Sequence, residues 1–437
     1  MSFRVIDVRR LFRESSFFRN TLTLISGTIA TQSIVFVFSP VLSRVFALVD
    51  FGYLANYTAW VAVLVLLGNL RYEQAIIVAK GRRNTNRAVV LTGTLSVLSC
   101  LVFAIVAVVI YFFYHGGGYL RDLKHIVLFI PVGVLVTSIS SLFIQHNVKT
   151  GKFKLLAGVT ATQVIFTIGP QILLGLLRVK DALIIGTIIG FTFTAIVFGY
   201  FFFRRRSFVE LLREGTVRNL WVTATEHVNF PRFMLGADVT SVIVQQFIPV
   251  FVLALFDPAI AGLYAFSVRI VRVPMIVVSA AVTGALRKEA VDKVHSGLGL
   301  RRLFTVTVRS LGLLAVVPLL LILAFGPAIF SIVFGHQWAE AGRIAQILSP
   351  GILVEFVALP LSAFFLVTNT QRYSLIIQAL GFVLMVAALV SGKRAFHDFL
   401  DTCYLIAAVM LFVNMLTIAF ARKVTGRTFN SPPVAAL

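Results

Sequence analysis

The chain has 437 residues, of which 59% are hydrophobic and 13% charged, and its formal net charge is +22. Soluble domains hold roughly 45–50% apolar and about 25% charged residues, so this composition excludes an ordinary soluble protein. The excess of Lys and Arg does not indicate nucleic-acid binding, because these residues are divided among short polar segments and not gathered on one domain. The two cysteines, Cys100 and Cys403, predict neither a disulfide framework nor a metal site.

Apolar segments of about 20 residues, the length that crosses a bilayer, follow one another along the chain. We predict twelve membrane-spanning helices, at residues 21–45, 52–79, 88–112, 125–146, 155–177, 182–203, 233–256, 259–285, 303–326, 345–367, 373–391 and 402–421. The longest polar stretch between them, 204–232, begins with three arginines. The sequence therefore predicts an all-α polytopic membrane protein, with no separate soluble domain. Its predicted parts are an N-terminal segment (1–20), an N-lobe (21–203), a linker (204–232), a C-lobe (233–421) and a tail (422–437).

The basic residues are distributed unequally between the two sides of the membrane. Of the 39 Lys and Arg residues, 27 lie in the polar segments that share a side with the N-terminus, and seven lie in the opposite segments. Short cytoplasmic segments are enriched in Lys and Arg, so both termini are predicted to be cytoplasmic. The first apolar segment is too long for a cleaved signal peptide, so we expect it to be retained.

The two predicted lobes resemble each other in sequence. Residues 39–41 (Ser-Pro-Val) precede residues 52–55 (Gly-Tyr-Leu-Ala), and residues 248–250 (Ile-Pro-Val) precede residues 262–265 (Gly-Leu-Tyr-Ala) at a similar spacing. Each lobe has six predicted spans, so both lobes begin on the same side of the membrane. The sequence therefore predicts a parallel repeat related by a pseudo-two-fold axis along the membrane normal.

Several segments resemble those of a known protein family. They are residues 39–46 (Ser-Pro-Val-Leu-Ser-Arg-Val-Phe), 50–53 (Asp-Phe-Gly-Tyr), 70–76 (Leu-Arg-Tyr-Glu-Gln-Ala-Ile), 131–135 (Pro-Val-Gly-Val-Leu) and 338–342 (Trp-Ala-Glu-Ala-Gly). Together they resemble bacterial polysaccharide flippases, the Wzx-type polysaccharide transporter family of the MOP superfamily.

This resemblance implies a fold, a function and a set of partners. The fold would be two six-helix lobes around a central cavity, similar to the MATE transporters. The protein would reside in the bacterial inner membrane and move an undecaprenyl-pyrophosphate-linked sugar unit from the cytoplasmic to the periplasmic leaflet. It would need no cofactor and catalyse no reaction. Its partners would be this substrate, membrane lipids, a coupling ion (H⁺ or Na⁺) and polysaccharide polymerase or assembly proteins, but no nucleic acid.

Charged residues inside the predicted spans are the candidate functional groups. An ionised side chain at the middle of a membrane helix costs about 2.5–3.5 kcal/mol, so each must be paired, hydrated by a cavity, or long enough to reach the interface. The charged residues inside the spans are Arg44, Arg71, Arg269, Arg272 and Arg309, with the acids Glu73, Asp238 and Glu355.

The position of each charge along its span indicates which of these explanations applies to it. Arg269 and Arg272 lie near the middle of the eighth span and three residues apart, hence on one face, and Glu355 is a partner for either. Arg309 is close enough to the predicted cytoplasmic end to reach the headgroups. Arg44 lies near the periplasmic end of the first span. Two roles stay open for it: part of a gate, or an interface anchor.

The second predicted span contains a further group of polar residues. On a continuous helix Asn69 and Glu73 share a face, and Arg71 and Gln74 share another. Arg71 and Glu73 are two residues apart, so we expect no ion pair between them on that helix.

These residues form the predicted site. The predicted pyrophosphate ligands are Arg269, Arg272, Arg71 and Arg44, because guanidinium groups bind phosphate oxygens in bidentate geometry. Predicted sugar-binding residues are Asn69, Gln32 and Gln245. Glu73, Asp238 and Glu355 are predicted either to take up a coupling ion or to form salt bridges that set helix packing. No metal site and no catalytic residue are predicted.

Three other functions stay open at this point. A multidrug or other small-molecule antiporter of the same superfamily would be expected to have acids and aromatic residues in its cavity. A membrane polymerase or ligase would be expected to have a sizeable periplasmic loop, whereas the predicted periplasmic segments are short. The third is a non-transporting scaffold of a polysaccharide assembly complex. No Walker A loop is present, so the sequence does not support ATP-driven transport.

Overall fold

The computed structural model describes residues 16–114, 119–204, 208–296, 298–368, 370–396 and 398–426. Every regular element in these ranges is helical. The predicted N-terminal segment and tail fall largely outside the described residues. By its internal contacts the chain forms two compact units. The first unit comprises Met1–Phe38, Trp60–Gly116 and Leu123–Val239, and the second comprises Ser39–Ala59, Gly117–Asp122 and Thr240–Leu437. The predicted lobe boundaries stay a prediction.

Seventeen α-helices are numbered here in chain order over the described residues. The first ten are α1 (Ser16–Val45), α2 (Leu48–Asn69), α3 (Glu73–Val78), α4 (Gly81–Phe113), α5 (Tyr119–Val127), α6 (Ile130–Lys149), α7 (Phe153–Leu176), α8 (Ala182–Phe203), α9 (Phe208–Glu214) and α10 (Val217–Glu226). After a π-helical turn at Phe230–Met234 come α11 (Leu235–Gln246), α12 (Ile248–Leu255), α13 (Pro258–His295), α14 (Arg301–Phe334), α15 (Ala339–Val367), α16 (Gln371–Ala395) and α17 (Phe399–Thr425).

The described helices confirm a polytopic membrane fold. Ten are long and apolar enough to cross a membrane, and the pair Phe230–Gln246 and Ile248–Leu255, bent by 55°, makes an eleventh if it counts as one span. The fourth predicted span corresponds to α6, which packs against α4 and α8 and buries its polar residues Ser138, Ser140, His146 and Asn147. Because neighbouring helices cover it, α6 does not need an apolar surface towards lipid.

Three predicted spans are interrupted, and the local sequence explains two of the breaks. Pro131 lies in the first turn of α6 and Pro249 in the first turn of α12. Proline lacks the N–H that would continue the preceding helix, but it fits the first turn of a new one. The third break separates α2 from α3, so the predicted second span, 52–79, is not one continuous helix.

In the first unit, a hydrophobic core joins α3, α4, α6, α7 and α8. Its buried residues include Ile76, Leu142, Phe143, Leu156 and Phe198. Lipid is as apolar as these side chains, so within the membrane the gain from burying them comes mainly from close packing. This core fixes the position of α3, which begins at the break in the second span.

In the second unit, α15 is the central helix and packs against α13, α14 and α17. The chain just before it anchors the end of α1. The Trp338 side chain is fully buried, contacts Phe51 and Phe266, and donates from its indole Nε1 to the carbonyl oxygen of Ser43 at 2.9 Å. The Ser43 hydroxyl donates in turn to the carbonyl of Phe334 at 2.9 Å. The Trp338 region, quoted above for its family resemblance, is thus a packing element.

The second unit also contains a close contact between two repeat-equivalent glycines. A β-carbon at Gly52 would overlap the carbonyl oxygen of Pro258, and a β-carbon at Gly262 would overlap that of Leu48. The backbone that each glycine contacts therefore lies four residues before the other glycine in the sequence. Reciprocal contacts of this kind arise where two equivalent elements meet about a two-fold axis. This geometry agrees with the parallel repeat predicted from the sequence.

The linker between the sixth and seventh spans folds back onto the N-terminal end of α4. Glu210 accepts from Arg82 at 2.7 Å, and Glu214 accepts from Arg83 at 2.8 Å and from Arg87 at 2.7 Å. Hydrogen bonds from Arg87 and Arg83 hold the pKa of the Glu214 carboxyl below its usual value. The linker is thus attached to the first unit by charge pairs at its first short helix, α9.

Replacing Gly262 by Ala is expected to destabilise the protein by about 1–3 kcal/mol, because the new methyl group overlaps backbone and forces α2 and α13 apart. Thermal unfolding in detergent measures this effect. Gly312→Ala is the matched control, since Gly312 also lies within a membrane helix but has open space beside it. Equal unfolding midpoints for the two variants would contradict the close contact.

Candidate functional site

The first group of charged residues lies at the break between α2 and α3. Leu70 and Arg71 have positive φ values of 49° and 62°, which are rare for residues with side chains. This left-handed turn ends α2 at Asn69 and restarts the helix in a new direction at Glu73. Each left-handed residue costs roughly 1–2 kcal/mol, so surrounding contacts must hold the turn in place.

Arg71 binds two carboxylates at this break. Its Nη1 lies 3.0 Å from Glu73 Oε1, and its Nε lies 2.6 Å from Asp238 Oδ2 on α11. The prediction that Arg71 and Glu73 form no ion pair was wrong. It assumed a continuous helix, whereas the left-handed turn brings side chains two residues apart to the same side.

The group contains more negative than positive charge. One guanidinium faces two carboxylates, and Glu73 is the more buried of them, with 5% of its side chain exposed against 32% for Asp238. Glu73 Oε2 is buried and has no hydrogen-bond partner among the described residues. One proton or monovalent cation would balance the charge of the group.

Arg272 and Glu355 form a second ion pair, in the second unit. The Nη2 and Nε atoms of Arg272, on α13, lie 2.7 and 3.2 Å from Glu355 Oε2 on α15. Of the two arginines that Glu355 was predicted to pair with, it takes Arg272. The positive charge of Arg272 is therefore neutralised within its own unit.

Arg269 is the exposed charge of α13 within the predicted eighth span, 259–285. Its side chain is exposed, while residues 266–268, 270, 271 and 273 are buried. No ion pair or hydrogen bond involves its guanidinium among the residues that the structure describes. A helix face directed at lipid is apolar, as the exposed Leu313, Val317 and Leu320 of α14 are. A charge near the middle of a predicted span is costly in lipid, so Arg269 needs water or a counter-ion.

Arg44 contacts the end of α14, and its predicted role as a gate or an interface anchor stays a prediction. Its Nη2 donates to the carbonyl oxygens of Ile332 and Val333, each at 3.3 Å. These carbonyls belong to the last turn of α14, which has no helical partners for them, and a cation is favourable at that end of a helix. Arg44 thus caps a helix in the second unit.

The predicted sugar-binding residues differ in accessibility. Asn69 has no exposed surface, and its Oδ1 accepts from Ser96 at 2.9 Å. The expectation that Asn69 meets a sugar is therefore not met in this structure, because the side chain is turned towards α4. Gln32 is half-buried, and Gln245 is exposed with its amide donating to Ser241 at 2.8 Å.

Two features were not predicted from the sequence: the attachment of the linker to α4 and the contact between Gly52 and Gly262. Both had a signal in the sequence. Glu210 and Glu214 are two acids four residues apart within a basic linker, a spacing that places them on one helix face. The glycines occupy equivalent positions of the repeat. In contrast, no local pattern indicates the left-handed turn at Leu70 and Arg71.

Comparison with solved structures defines the fold. The chain is similar to an inward-facing multidrug resistance MATE family transporter of the MOP superfamily, with a TM-score of 0.63, 13% identity, and coverage of 93% of this chain and 94% of that one. It is also similar to a MATE transporter from Vibrio cholerae (TM-score 0.58, 13% identity, 94% and 97% covered). A third similar structure is a MOP superfamily transporter from Pyrococcus furiosus, described as having a binding pocket of reverse polarity (TM-score 0.54, 12% identity, 93% and 95% covered). The protein thus has the fold of MOP-superfamily transporters.

The sequence match is more specific than the fold. Residues 41–343 match the family described as "Polysaccharide biosynthesis protein". The chain belongs to this polysaccharide biosynthesis family. No protein with a curated description matches it in sequence. The family match confirms the resemblance carried by residues 39–46 and 70–76.

Replacing Arg71 by Ala is expected to destabilise the protein by about 1–3 kcal/mol, because two carboxylates then lose their shared partner. The triple variant Arg71→Ala/Glu73→Gln/Asp238→Asn is expected to recover most of this loss, because it removes the unpaired charges as well. Chemical unfolding of the purified protein compares the two. If the triple variant is no more stable than the single one, charge pairing at the break is not the source of the effect.

Proposed function

We propose that the protein is a flippase of a bacterial inner membrane. In this proposal it moves a polyprenyl-pyrophosphate-linked oligosaccharide unit from the cytoplasmic to the periplasmic leaflet by alternating access, in the synthesis of a surface polysaccharide such as an O-antigen, an exopolysaccharide or a capsule. Its termini lie in the cytoplasm. Membership of a polysaccharide biosynthesis family and the transporter fold support this proposal.

The proposed substrate class rests on the exposed guanidinium of Arg269. It is a cation at the middle of a membrane helix, with no carboxylate to neutralise it within the described residues. Such a group binds an anion, and the pyrophosphate of a lipid-linked sugar is an anion that guanidinium binds in bidentate geometry. The polyprenyl chain can stay in the bilayer, so the protein has to shelter only the polar head.

The membrane potential assists this direction of movement. An inside-negative potential favours outward movement of negative charge by about 2.3 kcal/mol per elementary charge per 100 mV. The positive charge of Arg269 offsets part of this gain while the head is bound. A coupling ion would then supply the remaining driving force.

The group at the break in the second span is our candidate for ion coupling. Arg71 can neutralise only one of its two carboxylates, so the uptake of one proton or Na⁺ balances the charge of the group. The buried and unpartnered Glu73 Oε2 is the best-placed atom to hold a proton. Release of that proton would leave Arg71 shared between two anions and favour a rearrangement around the left-handed turn.

Arg269→Ala is expected to reduce polysaccharide export at least tenfold in cells that depend on this chain, while expression and thermal stability stay near the wild-type values. The reason is that the variant removes a cation that has no ion pair or hydrogen bond with the residues that the structure describes. Arg269→Lys should retain partial activity, and Arg309→Ala should be neutral.

Normal polymer output from Arg269→Ala would overturn the proposed head-group contact.

Arg272→Ala is also expected to abolish flipping, but it leaves Glu355 unpaired, so it must be compared with Arg272→Ala/Glu355→Gln. Accumulation of the lipid-linked precursor in the cytoplasmic leaflet separates a flipping defect from a loss of polymerase activity.

Glu73→Gln is expected to uncouple transport from an imposed pH gradient, because glutamine imitates the protonated acid and cannot release a proton. Translocation of a lipid-linked oligosaccharide into proteoliposomes, with and without the gradient, measures this effect. Asp238→Asn is the matched control on the same arginine. A gradient dependence that survives in Glu73→Gln would exclude this carboxyl as the proton carrier.

The similar solved structures include multidrug transporters, so a small-molecule antiporter is the alternative with structural support. An exporter of cationic drugs would have no use for an exposed arginine at the middle of a span, because like charges repel. Drug resistance conferred by this chain without any change in surface polysaccharide would favour the alternative.

A further inference from the structure

The linker helices α9 and α10 have two faces with different chemistry. The inner face carries Glu210 and Glu214, which are paired with arginines of α4. Tyr72 also holds the segment from inside, since its hydroxyl donates to the carbonyl of Ala224 at 3.1 Å. The inner face therefore attaches the linker to the rest of the first unit.

The outer face carries apolar side chains that stay exposed in the part of the chain that the structure describes. Val217 is 84% exposed and Trp221 is 72% exposed, and these two residues lie one turn apart on α10. Val209 on α9 and Val228 after α10 are also exposed. A soluble surface does not usually gather valine and tryptophan in one stripe, so this face has a partner.

The charge of the outer face is positive. Arg213, Arg218 and Arg232 are exposed and make no ion pair among the described residues, and Glu226 is the one exposed acid of α9 and α10. Glu210 and Glu214 are thus turned inwards, whereas the three arginines are turned outwards. A partner of complementary chemistry has an apolar layer bordered by negative charge, which describes the surface of a bilayer containing anionic phospholipids.

The neighbouring segments place the bilayer beside this face. Tyr200 and Phe203, at the end of α8, are exposed on one side of the linker, and Phe233 is exposed on the other. These aromatic residues belong to the membrane-crossing segments that the linker connects. The linker is therefore held at the membrane surface by both of its ends.

We propose that the outer face of the linker lies in the headgroup layer of the membrane, with Trp221 and Val217 at the boundary of the acyl chains and Arg213, Arg218 and Arg232 on lipid phosphates. Tryptophan is enriched at this depth because its ring is apolar and its N–H is polar. The linker then binds anionic lipid on one face and α4 on the other, which orients it between the two spans it joins. This proposal does not depend on the transported substrate.

Fluorescence of the full-length protein in vesicles tests the proposal. The signal of Trp221 is the difference between the wild type and Trp221→Phe, which removes the contribution of the other tryptophans. In vesicles of phosphatidylcholine and phosphatidylglycerol, we expect lipids brominated near the headgroup to quench this signal at least twofold more than lipids brominated at the chain ends. We also expect iodide to quench it weakly.

Two comparisons isolate the electrostatic part. Arg213→Gln/Arg218→Gln is expected to increase iodide quenching of Trp221 in vesicles with phosphatidylglycerol and to have little effect in vesicles of phosphatidylcholine alone. Glu226→Gln is the matched control on the same helix, and it should leave lipid quenching unchanged or increase it. Thermal unfolding of each variant verifies that the fold is intact.

Three results would overturn the proposal. Strong quenching by iodide with none by brominated lipid would place Trp221 in water. Shielding from both quenchers would mean that a second copy or another protein covers the face. Stronger quenching by lipids brominated at the chain ends would place Trp221 too deep for a headgroup site.

Discussion

The cost of an ionised group in hydrocarbon controls the arrangement of this protein. Each intramembrane charge needs a counter-charge, a set of backbone dipoles, or water. Arg71 and Arg272 have carboxylates, and Arg44 has the carbonyl groups that end α14. Arg269 has none of these partners among the described residues, which is why we propose it as the group that binds the substrate.

Departures from regular helix geometry make these pairings possible. The left-handed turn at Leu70 and Arg71 lets one guanidinium reach both Glu73 and Asp238, which lie on either side of the linker in sequence. The strain of the turn is offset by the two charge-assisted hydrogen bonds that it creates. Glycine makes a second close contact possible. The helices α2 and α13 can meet at Gly52 and Gly262 only because neither residue has a β-carbon.

Much of the fold was predictable because membrane helices follow one strong pattern. Apolar length located the described crossing helices, and the repeat suggested the equivalence of Gly52 and Gly262. The prediction failed at the second span, because it continued one helix through the largely polar residues 69–74, where the backbone turns at Leu70 and Arg71. The candidate site was predicted as a set of residue types, but their partners were not, because periodicity assigns faces along one helix and carries no information about the facing helix.

The sequence by itself determined that the chain is a polytopic helical protein with a parallel repeat, and it indicated the family. These properties depend on composition and on the order of residues along the chain. The tertiary structure decided which charges are neutralised: Glu355 pairs with Arg272 and leaves Arg269 exposed, although the two arginines are three residues apart on one face. That choice depends on distances of a few ångströms between side chains on different helices, which no local pattern of residues encodes.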